Sequence, residues 1–173
     1  MPTEHFPFQR LRTGGDLPVL EIRIGVSRTE IETLREVGIP IEVPPPREQA
    51  ALVDTGAMRT FIPRQVVDQL GLIPRGQVPV AQPLSQTVQV FLYDVSIELF
   101  IRKKNAAGWT TVGLVPLVQA GLLPDRGSGA RQFPMPIIGR DVLSHCRFVY
   151  NGPESRIELF HPRRSSGGFL RRR

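Results

Sequence analysis

Apolar and polar positions alternate from Leu17 to Val26, where Val19, Leu20, Ile22, Ile24 and Val26 are interrupted by Glu21 and Arg23. A period of two marks a strand with one buried face. From Ser27 to Val37 the spacing becomes helical, with Ser27 or Thr29 placed to open a short helix and Gly38 to end it. Pro44-Pro45-Pro46 forms a stiff, extended spacer before Gln49 to Val53, which predicts a second strand. Arg64 to Leu70 predicts a short helix stopped by Gly71, and Val78 to Val90 and Phe91 to Arg102 predict two long strands. A turn is expected near Pro83 to Thr87. Val112 to Val118 predicts another strand, and Leu123 to Phe133 a turn-rich surface loop. Gly139 to His145 fits one or two helical turns, followed by a hairpin of Arg147 to Tyr150 and Arg156 to Phe160 across Asn151-Gly152-Pro153. There is no internal repeat, and the pattern is mostly β.

Composition refines this without changing it. A chain of 173 residues suits one domain, and its 16 glycines and 17 prolines favour short strands and turns over a helical bundle. Twenty-two basic against 16 acidic residues leave a net charge of +6. The stretch from His161 to Arg173 holds five arginines and no acid, so the rest of the chain carries only +1. The expected organisation is a flexible N-terminal arm over residues 1–16, one domain over 17–160 and a basic, disordered tail over 161–173. A single cysteine, Cys146, excludes an internal disulfide and suits a reducing compartment. No signal-like start and no apolar run of about 20 residues is present, so a cytoplasmic protein without a membrane partner is expected.

The chemistry concentrates in Ala51-Leu52-Val53-Asp54-Thr55-Gly56-Ala57, answered much later by Pro136-Ile137-Ile138-Gly139-Arg140-Asp141. An apolar run ending in Asp-Thr-Gly delivers a carboxylate at the mouth of a buried strand. The second segment can pass behind that carboxylate and hold it still. Hydrolysis of a peptide by carboxylates needs two of them sharing one proton: one activates water and the other polarises the scissile carbonyl. Like charges about 3 Å apart cannot both ionise, so the pair titrates in two separated steps. The chain has one such Asp-Thr-Gly, since Asp125-Arg126-Gly127 follows no apolar strand. A two-fold dimer would bring Asp54 against its own copy.

These two segments resemble the active-site half of the retropepsin-like, single-lobe aspartic proteases, most closely those of bacterial and cellular type. The resemblance spans residues 17–160 in element order and is specific over Ala51 to Ile62 and Pro136 to Leu143. It implies a mostly β, closed β-barrel-like single lobe with one or two short helices. It also implies a homodimeric aspartic endopeptidase in which the two Asp54 carboxylates hold the attacking water. Thr55 would brace the two loops across the axis, Gly56 would admit the substrate backbone, and Ala57 would floor the cleft. Ile137, Ile138 and Gly139 would back the loop. Arg140 would ordinarily pair with an acid two residues after Gly56, but this chain has Met58 there. Val78 to Tyr93 would form the hairpin over the substrate, with Leu84, Ser85 and Gln86 near its tip and without the glycines of viral members. Apolar side chains on that hairpin and near Phe61 and Ile62 imply extended peptides with apolar groups beside the cut.

Other features add less. His145-Cys146 could suggest a thiol nucleophile and its base, but neighbouring side chains point apart and no orienting Asn or Asp is evident, so a buried structural Cys is expected. His5, His145 and His161 lack metal-ligand spacing, and neither a metal nor a cofactor is expected. The arginine tail is read as solvated rather than as a nucleic-acid site. The rival function from another class is a non-catalytic module on the same fold that grips a peptide or protein, with Asp54 kept for structure.

Overall fold

The computed structural model describes residues 4–7, 9–10, 16–81, 87–102, 109–123, 135–154 and 156–160. The elements run β1 (Glu4–Pro7), β2 (Gln9–Arg10), β3 (Asp16–Leu17), β4 (Val19–Val26), α1 (Arg28–Glu36), β5 (Arg47–Val53), β6 (Phe61–Ile62), α2 (Arg64–Leu70), β7 (Gly76–Val80) and β8 (Val88–Arg102). They continue with β9 (Trp109–Leu122), β10 (Ile137–Ile138), α3 (Arg140–Leu143), β11 (Arg147–Asn151) and β12 (Arg156–Phe160).

Six strands close on themselves. The order β4-β5-β10-β6-β9-β8 returns to its start because β8 also pairs with β4, and β7 hangs from the outer edge of β8. The single-lobe closed barrel expected from the sequence is the one that forms. Among the described residues its helices are two short ones and a single turn, of nine, seven and four residues. A second small sheet, β1-β12-β11, packs Ile157 and Leu159 into the same core.

The period-two pattern builds the barrel directly. Along β4, Leu20, Ile22 and Ile24 are 1%, 0% and 0% exposed, while Glu21 and Arg23 point outward. Full burial of each such side chain is worth about 1.5–3 kcal/mol. Arg23 lies directly opposite Glu48 on β5 and Glu98 on β8, with guanidinium–carboxylate distances of 2.9 and 3.8 Å. The outward position on the closing strand is therefore tied to both neighbours by charge.

One long strand performs the closure. β8 pairs with β7 through Val88 to Leu92 and with β4 through Val95 to Leu99, and the register against β9 slips between Val95 and Ile97. Such a slip bends a strand and increases its twist, which lets one strand serve both the hairpin and the barrel wall. The sequence reading ended one strand at Val90 and began another at Phe91. The chain instead runs on through both, because nothing at Val90-Phe91 has turn chemistry. Likewise β9 extends well past the predicted Val112 to Val118 in both directions, carried by its ladder with β8.

The helices follow their signals. Ser27 is buried and caps α1, its hydroxyl accepting from the Glu30 N–H at 3.2 Å. Gly71, at φ 60°, ends α2 in the left-handed conformation that glycine adopts at least cost. Glu4–Pro7, within the segment expected as a loose arm, pairs antiparallel with β12. Gln9–Arg10 of the same segment pairs antiparallel with Asp16–Leu17, and the arginine tail lies outside the described residues. Among the described residues no helix is long and apolar enough to cross a membrane.

Candidate active site

The carboxylate of Asp54 is fixed by its own local turn. β5 buries Ala51 and Val53, and the ladder continues one residue further through the Asp54 N–H donating to the Ile138 carbonyl at 3.0 Å. The chain then folds back. Asp54 Oδ1 accepts from the N–H groups of Gly56 at 2.8 Å and Ala57 at 3.2 Å, and the Ala57 N–H also reaches the Asp54 carbonyl. An Asp side chain closing a turn onto the amides two and three residues on is a favoured use of that residue. Among the described residues, Oδ2 accepts no hydrogen bond, and Asp54 is only partly buried.

Gly56 has a local reason for lacking a side chain: a Cβ there would lie 3.1 Å from Asp54 Oδ1. Thr55 is exposed beside the carboxylate, and Ala57 is half-buried.

β10 lies between the carboxylate strand and β6. Ile137 and Ile138 pair parallel with Leu52 and Val53, and Ile137 pairs antiparallel with Phe61. Ile138 is fully buried and Ile137 half-buried. Gly139 is buried against the chain at Arg59, where a Cβ would stand 2.5 Å from both the carbonyl carbon and its oxygen. Ile62, expected near the substrate, is 0% exposed and belongs to the core, whereas Phe61 is partly open. Gly121 makes room for the Phe61 ring, since a Cβ would lie 2.8 Å from it.

The sequence reading placed Arg140 among the supporting residues and missed two others. The Arg140 side chain is exposed; its contribution to the loop is a backbone N–H donated to the Ala57 carbonyl at 2.9 Å. The side chain that reaches the loop is Asp141. Its Oδ2 accepts from the Thr60 N–H at 2.9 Å, and its Oδ1 accepts from the Thr60 hydroxyl at 2.7 Å and the Val142 N–H at 2.9 Å. The Thr60 hydroxyl in turn accepts from the Gly139 N–H at 3.1 Å, and Thr60 is 0% exposed. The available signals were a lone hydroxyl residue beside the apolar Phe61-Ile62 pair and an acid in the first turn of α3. Neither identifies its partner without the fold.

The hairpin of β7 and β8 has Gly76 opposite Leu92 and Val80 opposite Val88. Leu84, Ser85 and Gln86 themselves lie outside the described residues. Val78, Val80, Val88 and Val90 share its more buried face, and Gln77, Pro79, Gln89 and Phe91 are exposed. His145 is exposed, and Cys146 packs against the core with its thiol pushed up to about 11 by burial, which suppresses the thiolate a nucleophile needs. Among the described residues no group of three or more His, Cys, Asp or Glu could hold a metal ion. A groove of about 230 Å³ lies between α1, the proline spacer, β4 and β8, and it shares no residue with the Asp54 loop.

No family model matches the sequence, and no curated protein matches it. Among solved structures, the chain is similar to the crystal structure of a retropepsin-like aspartic protease from Rickettsia conorii. The two are 10% identical with a TM-score of 0.47, over 93% of this chain and 94% of that one.

Chemically, the loop presents one carboxylate with one oxygen fixed and the other accepting no hydrogen bond among the described residues. Such a group can take a proton from water or give one to a carbonyl. The first role needs it ionised and the second needs it protonated.

Proposed function

We propose that the chain is an aspartic endopeptidase that acts as a homodimer, with Asp54 of each copy holding one water between them. The observation that carries this reading is the asymmetric Asp54 carboxylate: Oδ1 tied to two backbone N–H groups and Oδ2 accepting no hydrogen bond among the described residues, at the end of a buried strand. Holding one oxygen fixes the plane of the group. The other oxygen then meets its counterpart across a two-fold axis, where close approach forces the pair to share a proton. Exposed Thr55 is available to brace the facing loop, and the extended substrate pairs with the β7–β8 hairpin as an added strand.

The test exploits the shared site. Wild-type protein is mixed and re-equilibrated with an equal amount of Asp54→Asn, and digestion of a broad peptide library is followed alongside sizing in solution. A site built from two copies leaves about a quarter of the dimers with both carboxylates, so activity per total protein falls to about a quarter of that of wild type alone. A fall to one half, as expected of independent monomers, refutes the shared site. Turnover by Asp54→Asn alone above about a hundredth of the wild-type rate refutes the carboxylate mechanism.

A second reading rests on Met58, which is 77% exposed directly after Ala57. A large apolar side chain open to solvent there suits a module that grips peptides without cutting them. A statine-type peptide separates the two, because its hydroxyl mimics the transition state between paired carboxylates. Binding that disappears in Asp54→Asn supports the enzyme, and equal binding to both proteins supports the module.

A further inference from the structure

We infer that Asp141, acting through Thr60, is the positioning residue of the Asp54 loop. This inference deepens the reading of Asp54 as the reactive group and rests on it for the kinetic consequence, though not for the structural one.

The loop from Asp54 to Thr60 is pinned along its length by consecutive residues of one distant segment. Ile138 offers its carbonyl to the Asp54 N–H, Arg140 gives its N–H to the Ala57 carbonyl, and Asp141 takes both donors of Thr60. The first two attachments are backbone to backbone and survive most substitutions. The third depends on the Asp141 side chain, so it is where sequence controls the geometry. Thr60 also leads the chain into β6, and its carbonyl accepts from the Gly121 N–H of β9 at 2.8 Å. The end of the loop is thereby anchored to the barrel wall, and a shift of Thr60 is transmitted backward to the Gly56 and Ala57 amides that orient Asp54.

A carboxylate is required at position 141, because all three of its donors need acceptors. Oδ2 faces one N–H, and Oδ1 faces a hydroxyl and a second N–H. An asparagine places its NH2 against the Thr60 N–H in one orientation and against the Val142 N–H in the other. Either way two donors confront each other in a site where Thr60 has no access to water. Thr60 is similarly constrained: its hydroxyl donates to Asp141 and accepts from Gly139, so it bridges the loop to the start of α3. Serine preserves that bridge. Valine matches the shape of threonine but removes both bonds.

The experiment compares Asp141→Asn, Thr60→Val and Thr60→Ser in the full chain by two readouts. Amide hydrogen exchange by NMR is measured at Gly56 and Ala57 and normalised to the change in global stability of each variant. Asp141→Asn and Thr60→Val are expected to speed exchange at these amides about tenfold beyond that change, and Thr60→Ser to remain within about threefold of wild type. Steady-state kinetics are measured on the peptide best cleaved from the library. The same two variants are expected to lower kcat about tenfold to a hundredfold with KM changed less than about threefold, because misplacing the reacting group acts on the chemical step. If Asp141→Asn does not fold, the Thr60 pair carries the comparison.

Exchange at Gly56 and Ala57 that only tracks global stability overturns the inference, as does a kcat that is equal in Thr60→Val and Thr60→Ser. A wild-type protein that cleaves no peptide overturns the proposed function instead, and the exchange comparison then decides the positioning role by itself.

Discussion

Gly139 and Arg59 approach so closely that a methyl group on Gly139 would stand 2.5 Å from the Arg59 carbonyl carbon and oxygen. The two residues belong to segments eighty positions apart, and their contact locks the loop that carries Asp54 against the start of α3. The Gly139 backbone is extended, at φ −94° and ψ −176°, so the glycine is needed for space and not for its torsion angles. The atoms it would strike are backbone and cannot rotate away.

Gly139→Ala is therefore expected to destabilise the fold by about 3 kcal/mol, the upper end of the usual cost of overpacking. Chemical denaturation measures this. A loss below about 0.5 kcal/mol would show that the two segments separate freely, and the account of a rigid backing to the loop would fail.

Asp54→Asn should spare the fold, since an amide oxygen can accept from the Gly56 and Ala57 amides just as the carboxylate does. Its stability is expected within about 1 kcal/mol of wild type. Peptidase activity should drop at least a hundredfold, about the lower range of what a positioned acid or base contributes. A large loss of stability would assign Asp54 a structural role and favour the non-catalytic module.

Arg23 lies between Glu48 and Glu98 where the barrel closes, with a side-chain exposure of 23% against 44% and 16% for its partners. Arg23→Leu removes the cation and leaves two like charges flanking β4. A destabilisation of about 1–2 kcal/mol is expected, shrinking in concentrated salt because part of the interaction is exposed to solvent. No change between low and high salt would mean that packing of the arginine stem, not charge, holds the seam.

Burial raises the Cys146 thiol from 9.0 to about 11. The folded protein keeps this proton between those values while the unfolded chain releases it, so the contribution of Cys146 to stability is complete below pH 9 and declines as pH rises toward 11. Stability measured across that window should fall less steeply in Cys146→Ser than in wild type. At pH 8 the native thiol should react with Ellman's reagent far more slowly than the denatured chain. Rapid native labelling would contradict the burial.

What could be read in advance followed the range of the interactions concerned. Alternation along β4, the cap at Ser27, the stop at Gly71 and the hairpin across Asn151-Gly152 are decided by residues a few positions apart, and each appeared where its signal stood. The turn in which Asp54 bonds the amides of Gly56 and Ala57 is equally local, but the sequence reading did not name it. The continuous run of β8 through Val90 and Phe91 was not legible, because two different partner strands and a bulge sustain it.

The sequence by itself determined a β-rich chain, a carboxylate at the end of a buried strand and a hydrophobic pair able to back it. These depend on local periodicity and on side chains folding onto their own backbone. Only the tertiary structure decided that the barrel closes through β4 and β8, that Ile62 is core, and that Asp141 rather than the Arg140 side chain holds the loop. Those outcomes depend on which donors meet which acceptors across eighty residues, and a linear pattern of polar and apolar positions does not encode that pairing.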